Sequence, residues 1–264
     1  MKRWFDSHTH NGHSRCVHEP WAISDGWALA LDRGLSGLGI TNHVHFNSPR
    51  QDFLPDLRAE IDAIGNPNLL LGVELDIDDP HGRIVLQDDT LNILDYVIAG
   101  PHNMPTESLA FPDIEEDEIA EYFASLRDIL VASLSAGPID VWVHPFYQEL
   151  SYAGKFMHYI APIYTECLEL CAQKGIAVEL TQAFQRDVVP IEKEAWSDNN
   201  SFQKEVRAIV TGMVQEAVNV PEIQFSLASD AHQIDRVGAI TFPIELIQEL
   251  DIKEERILKL QKKG

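Results

Sequence analysis

The chain has 264 residues, 45% hydrophobic and 23% charged, and its 20 Lys and Arg face 42 Asp and Glu for a formal net charge of −22. That balance builds an ordinary core but repels nucleic acid and anionic membranes at long range, and no run of about 18 apolar residues offers a membrane span. Cys16, Cys167 and Cys171 are few and odd in number, which fits a reduced, cytoplasmic protein better than a disulfide scaffold.

The opening "MKRW" is basic but no apolar stretch follows it, so no signal peptide is expected. Short runs rich in β-branched and apolar residues then alternate with amphipathic stretches. In chain order the strand-like runs are "RWFDSH", "LSGLGITNH", "NLLLGVEL", "LDYVIAGPH", "IDVWVHP", "GIAVELT" and "IQFSLASDAH". Helical spacing is clearest over Ile114 to Leu134, whose start carries the acidic Asp113, Glu115, Glu116 and Asp117 and which Gly137-Pro138 ends. Further helices are expected over Ile163 to Lys174, closed by Gly175, and over Ser201 to Val218. The terminal "IKEERILKLQKKG" reads as a last helix with lysines toward its C-terminal end.

No linker, repeat or low-complexity tract interrupts this alternation, so residues 1–264 read as a single domain. Seven strands alternating with helices imply parallel βαβ units, and runs such as "NLLLGV" are apolar enough for burial on both faces. The expected fold is α/β, a distorted seven-stranded β/α (TIM-like) barrel, with an open doubly wound sheet as the alternative.

Polar residues fall at telling places. Four of the eleven histidines, His8, His10, His13 and His18, crowd into the first strand end and the loop after it. Nearly every later strand also ends in a potential metal ligand: His43, Glu74, His102, His144, and Asp230 with His232. In a β/α barrel the C-terminal strand ends converge on one rim, and residues i and i+2 of a strand share a face, so His8 and His10 can bind one ion. Mixed imidazole and carboxylate donors suit Zn, Mn or Fe. Cys167 and Cys171, four apart on a helix, read as core, and Cys16 as a thiol close to the ligands.

The set "DSHTH" (6–10), "CVH" (16–18), "ITNH" (40–43), "GVEL" (72–75), "VIAGPH" (97–102), "VWVHP" (141–145) and "LASDAH" (227–232) resembles the PHP (polymerase and histidinol phosphatase) family of metal-dependent phosphoesterases. The pieces arrive in family order, and the "C-x-H" element is like the histidinol-phosphate phosphatase branch. The resemblance implies three divalent metals per chain. His8, His10, Glu74 and Asp230 would hold the first, with Glu74 bridging to a second on His102 and His144. His18, His43 and His232 would hold a third, and the long spacing after His10 leaves His13 open in place of His18. Asn42 stands where the family has Asp. Glu74, Asp230 and His232 would serve catalysis directly.

The implied reaction is hydrolysis of a small phosphorylated metabolite, such as histidinol phosphate or a nucleotide, by a metal-activated hydroxide. Arg15, His45 and Arg236 are candidate substrate-binding groups, Arg because guanidinium matches phosphate bidentately. Two competing readings are an amidohydrolase-like enzyme acting on an acyl or amide substrate and a non-catalytic metal-binding module. Neither a membrane nor a nucleic-acid partner is expected.

Overall fold

The computed structural model describes residues 4–14, 16–45, 50–79, 81–102, 118–190 and 198–263. Its first strand, β1 (Phe5–Asp6), is followed by α1 (Ile23–Asp32), β2 (Gly37–Ile40), β3 (His43–Val44), α2 (Leu54–Ile64), β4 (Leu69–Asp76), α3 (Asp88–Leu91) and β5 (Tyr96–Gly100). The chain continues through α4 (Ile119–Ala136), β6 (Val141–Trp142), a 3₁₀ segment Glu149–Phe156, α5 (Met157–Lys174), β7 (Ala177–Thr181), α6 (Ala183–Arg186), α7 (Asn199–Val218), β8 (Phe225–Ala228) and α8 (Thr241–Glu249).

All strand pairs are parallel, in the order β1-β2-β4-β5-β6-β7-β8. β2 and β3 both lie on β4, with Ile40 opposite Leu71 and His43 opposite Glu74. They are one strand interrupted at Thr41–Asn42, which makes seven staves. The ring is brought together where the Ser7 amide donates to Leu227 O (2.9 Å) and the His10 amide to Ala231 O (2.9 Å). The expected seven-stranded β/α barrel is therefore the fold. No helix among the described residues is long and apolar enough to cross a membrane.

β4 shows why every strand is so apolar. Leu69, Leu71, Val73 and Leu75 face out into the layer shared with helices such as α2, whose Leu54, Leu57 and Ile61 are buried in the same cluster. Leu70, Gly72, Glu74 and Asp76 alternate with them and point into the barrel, because strand side chains alternate between faces. The interior is a small second cluster of Leu70, Tyr96, Ile98, Val141, Val143 and Ala177. Tyr96 fills most of it. Its hydroxyl donates to Ser7 O (2.6 Å), one residue before His8. A Cβ on Gly39 would lie 1.7 Å from that hydroxyl, so only glycine fits there.

Several expected boundaries move for local reasons. α5 begins six residues earlier than the expected Ile163 and runs through Pro162, which an early turn tolerates at the loss of one backbone bond. Gly175 ends it at φ 73, as a left-handed cap. α4 is described from Ile119, and the acidic residues at 113–117 lie outside the described residues. α7 begins where the Asp198 carboxylate accepts from the Ser201 amide (2.7 Å).

The C-terminal stretch is a correction. Instead of a helix it forms a single 3₁₀ turn, Glu254–Arg256, and then runs extended, with the Leu258 amide donating to Phe225 O (2.8 Å). Leu258 and Leu260, two apart, pack with Phe5 against the interior cluster, and Lys263 N donates to Asp95 Oδ1 (3.0 Å). These contacts over the end of the barrel interior hold the tail extended, so tertiary packing overrides the helical spacing.

Gly39→Ala is expected to destabilise the fold by about 1–3 kcal/mol, because the fully buried Tyr96 has nowhere to retreat. A urea-melt midpoint indistinguishable from the parent chain would contradict this packing.

Candidate metal centre

The C-terminal strand ends meet around one carboxylate. Glu74, fully buried in β4, presents its two oxygens to different partners. Oε2 lies 3.1 Å from His8 Nε2, 3.3 Å from His10 Nε2 and 3.1 Å from His43 Nδ1. Oε1 lies 3.1 Å from His102 Nε2 and 2.9 Å from His144 Nε2. Asp230 Oδ1 approaches the first set, 3.6 Å from His8 Nε2 and 3.4 Å from His10 Nε2. His8 and His10 are themselves 3.0 Å apart at Nε2.

These separations fit metal coordination. Donors held at 2.0–2.1 Å around a tetrahedral ion sit ~3.3 Å from one another. Glu74 Oε2, Asp76 Oδ1 and His43 Nδ1 are buried without a hydrogen-bond partner, a state that is expensive unless something else satisfies them. Among the described residues the groups able to hold an ion are His8–His10–Asp230, His8–Glu74–His144, His43–Glu74–His102, His43–His45–Asp76 and His10–Cys16–His43–His232.

The rings are set in ligating orientations from behind. His8 Nδ1 donates to Glu179 Oε1 (2.8 Å), and Glu179 Oε2 accepts the His144 amide (3.0 Å). His102 Nδ1 donates to Gly100 O (3.0 Å) and His232 Nδ1 to Asp230 O (3.1 Å). His10 Nδ1 donates to Ser14 Oγ (3.1 Å), which also accepts the His43 amide (2.9 Å) and donates to Asn42 Oδ1 (3.2 Å). Each bonded Nδ1 leaves that ring's Nε2 lone pair free, the tautomer a metal requires. Asn42 Nδ2 donates to Asn11 Oδ1 (2.6 Å), a bond that an Asp at this position could not give.

Charge follows the same plan. Burial alone would push the Glu74 carboxyl up, but the His43, His8 and His102 rings outweigh it and hold it well below the usual carboxylate range. Asp230 is likewise held low against burial, by His8, His10 and His232. Burial holds His10 and His43 below the ordinary imidazole value, so both favour the neutral, ligating form. Two of these residues are held in an uncommon backbone conformation, His144 at φ 30 and Asp230 at φ 50. Such strain persists where surrounding contacts enforce it. At Asp230 the contacts come from Arg186, which donates to Ser229 O (3.0 Å) and Asp230 O (2.9 Å).

Residues 6–183 match the PHP domain family. The chain belongs to that family. A probable histidinol-phosphatase of Deinococcus radiodurans is 27% identical over 251 residues, covering 88% of each chain. A probable phosphatase of Shewanella loihica is 26% identical, covering 98% of this chain and 90% of its own. The crystal structure of histidinol phosphate phosphatase from Lactococcus lactis, complexed with zinc, L-histidinol and phosphate, shares the fold with a TM-score of 0.68 at 16% identity, covering 98% and 97% of the two chains.

Within this PHP barrel, eight of the nine candidate ligands lie together: His8, His10, His43, Glu74, His102, His144, Asp230 and His232. His18 is exposed and in none of the groups, and His13 is exposed and stacked on Phe53 (4.9 Å). His45 stands at the edge of the site, its Nδ1 donating to Asp76 Oδ2 (2.7 Å). Arg236 is tied to Asp187 (3.6 Å), and Arg15 lies outside the described residues.

Reading along the chain missed Asp76 and Glu179. Both are acids inside otherwise apolar strands, and Asp76 lies two residues past Glu74 on the same face. A charged residue in a strand buried on both faces was the available signal.

Glu179→Gln keeps the size of the side chain but removes the charge behind His8. It is expected to weaken zinc retention about 10–100-fold in competition with a chromophoric chelator. Unchanged retention would reject this supporting role.

Proposed function

We propose that this PHP-family chain is a metal-dependent phosphoesterase, hydrolysing a small phosphorylated metabolite at a centre of three divalent ions, of zinc, manganese or iron. The observation that carries the reading is the Glu74 carboxylate shared between two sets of imidazoles at the barrel mouth. In this reading His8, His10, Glu74 and Asp230 hold one position and Glu74, His102 and His144 the adjacent one. His43 and His232 contribute to a third. Divalent ions there supply Lewis acidity, lowering the pKa of water toward neutrality and offsetting charge on phosphate oxygens.

The chain's own groups do the rest. Glu74 and Asp230 are ionised at neutral pH and stay so on binding. His45, half-buried and oriented by the buried Asp76 carboxylate, is placed to interact with substrate at the rim and to hold or pass a proton to the leaving oxygen. Arg236 is the cation assigned to the substrate's outer part, with Asp187 fixing it. Arg15, on the loop after His10, is the other candidate clamp. A net charge of −22 works against nucleic acid and is in keeping with a small substrate. Histidinol phosphate is the first candidate, since the Deinococcus and Lactococcus proteins carry that name. The three cysteines are free thiols, in keeping with a reducing, cytoplasmic setting.

The test is phosphate release from a panel of phosphomonoesters and cyclic nucleotides, histidinol phosphate included, measured beside metal content. Two or three ions per chain are expected, with turnover reduced at least about 10³-fold in the His8→Ala/His10→Ala variant. Bound metal without phosphate release on any substrate would overturn the reading, and acyl-substrate turnover in the same assay would replace it.

A further inference from the structure

We propose that Cys16, and not His18 or His13, is the ligand that the N-terminal loop contributes to the third metal position, making that position a mixed thiolate–imidazole site. The inference rests on the metal-centre reading above and concerns one ligand within it.

The loop's course decides which side chain arrives. Ser14 anchors it to the centre through His10 Nδ1, the His43 amide and Asn42 Oδ1. At its base the Trp21 amide donates to Asn11 O (2.9 Å). Between these ties the Val17 amide donates back to Ser14 O (3.1 Å), and the Val17 side chain is buried. With that turn fixed, Cys16 Sγ comes to the donor atoms of His10, His43 and His232, all four within 4.8 Å of one another.

His18, on the other side of the buried Val17, is exposed and reaches no group of donors. His13 is engaged with Phe53. Among the donors Cys16 joins, His43 is buried, and its Nδ1, 3.1 Å from Glu74 Oε2, has no hydrogen-bond partner.

The chemistry of the change is specific. A thiolate is softer than imidazole, so it shifts preference toward zinc or iron and away from manganese. The other two cysteines are buried in α5 and cannot substitute for it.

Cobalt(II) titration of the full chain tests the assignment by absorption. A near-ultraviolet sulfur-to-cobalt charge-transfer band is expected as the last equivalent binds. The band should fall to background in C16S and keep its full intensity in H18A. Cobalt binding with only visible ligand-field bands, or a charge-transfer band that survives in C16S, would overturn the proposal. So would loss of one cobalt equivalent in H18A but not in C16S. Absence of any cobalt binding would instead bring down the metal-centre reading itself, and the thiolate with it. Far-ultraviolet circular dichroism on each variant separates ligand loss from misfolding.

Discussion

A carboxylate buried in the mouth of a barrel is the constraint around which this molecule is organised. Removing an anion from water costs several kcal/mol unless cations or donors surround it. Glu74 meets that requirement with five imidazoles, three at one oxygen and two at the other. Burial keeps His10 and His43 toward the neutral form, while the Glu74 carboxylate and its acidic neighbours hold His8 and His102 well above the ordinary imidazole value against their burial. Even so, Glu74 Oε2 and Asp76 Oδ1 are buried without a hydrogen-bond partner, a state that a bound cation would relieve.

The barrel supplies the precision. Each ligand lies within a few residues of a strand end, so its position is fixed by ladder hydrogen bonds, and the interrupted β2–β3 stave lets His43 pair in register with Glu74. Where the strand alone would aim a side chain wrongly, the backbone bends. His144 and Asp230 take left-handed conformations at the ends of β6 and β8, and the Arg186 guanidinium grips the carbonyls around the second. Behind the ligands, Glu179, Ser14 and Asn42 join residues far apart in sequence into one set of bonds.

Much of this was legible in the sequence because the site is made of chemically distinctive residues at the ends of apolar runs. Alternating strands and helices, together with terminal His, Glu and Asp residues, pointed to the barrel and to eight residues whose donor atoms it groups. What escaped was decided by geometry that residue type does not encode. Asp76, just past the expected end of its strand, and Glu179, within an apolar run, reach the site only through the closed ring. Whether the loop at 11–18 offers imidazole or thiol depends on which way Val17 turns. The tail was misread because its helical spacing is real, while the opening it covers exists only once the other staves are assembled.

That tail sets an order of events during synthesis. The floor of the barrel is laid by Leu258 and Leu260, and the ring closes only when β8 docks beside β1. His8 and His10 follow β1 while Asp230 follows β8, so a fragment that lacks β8 cannot assemble the first donor set. Assembly of the donor set is thereby coupled to closure of the ring, where the Ser7 and His10 amides meet Leu227 O and Ala231 O.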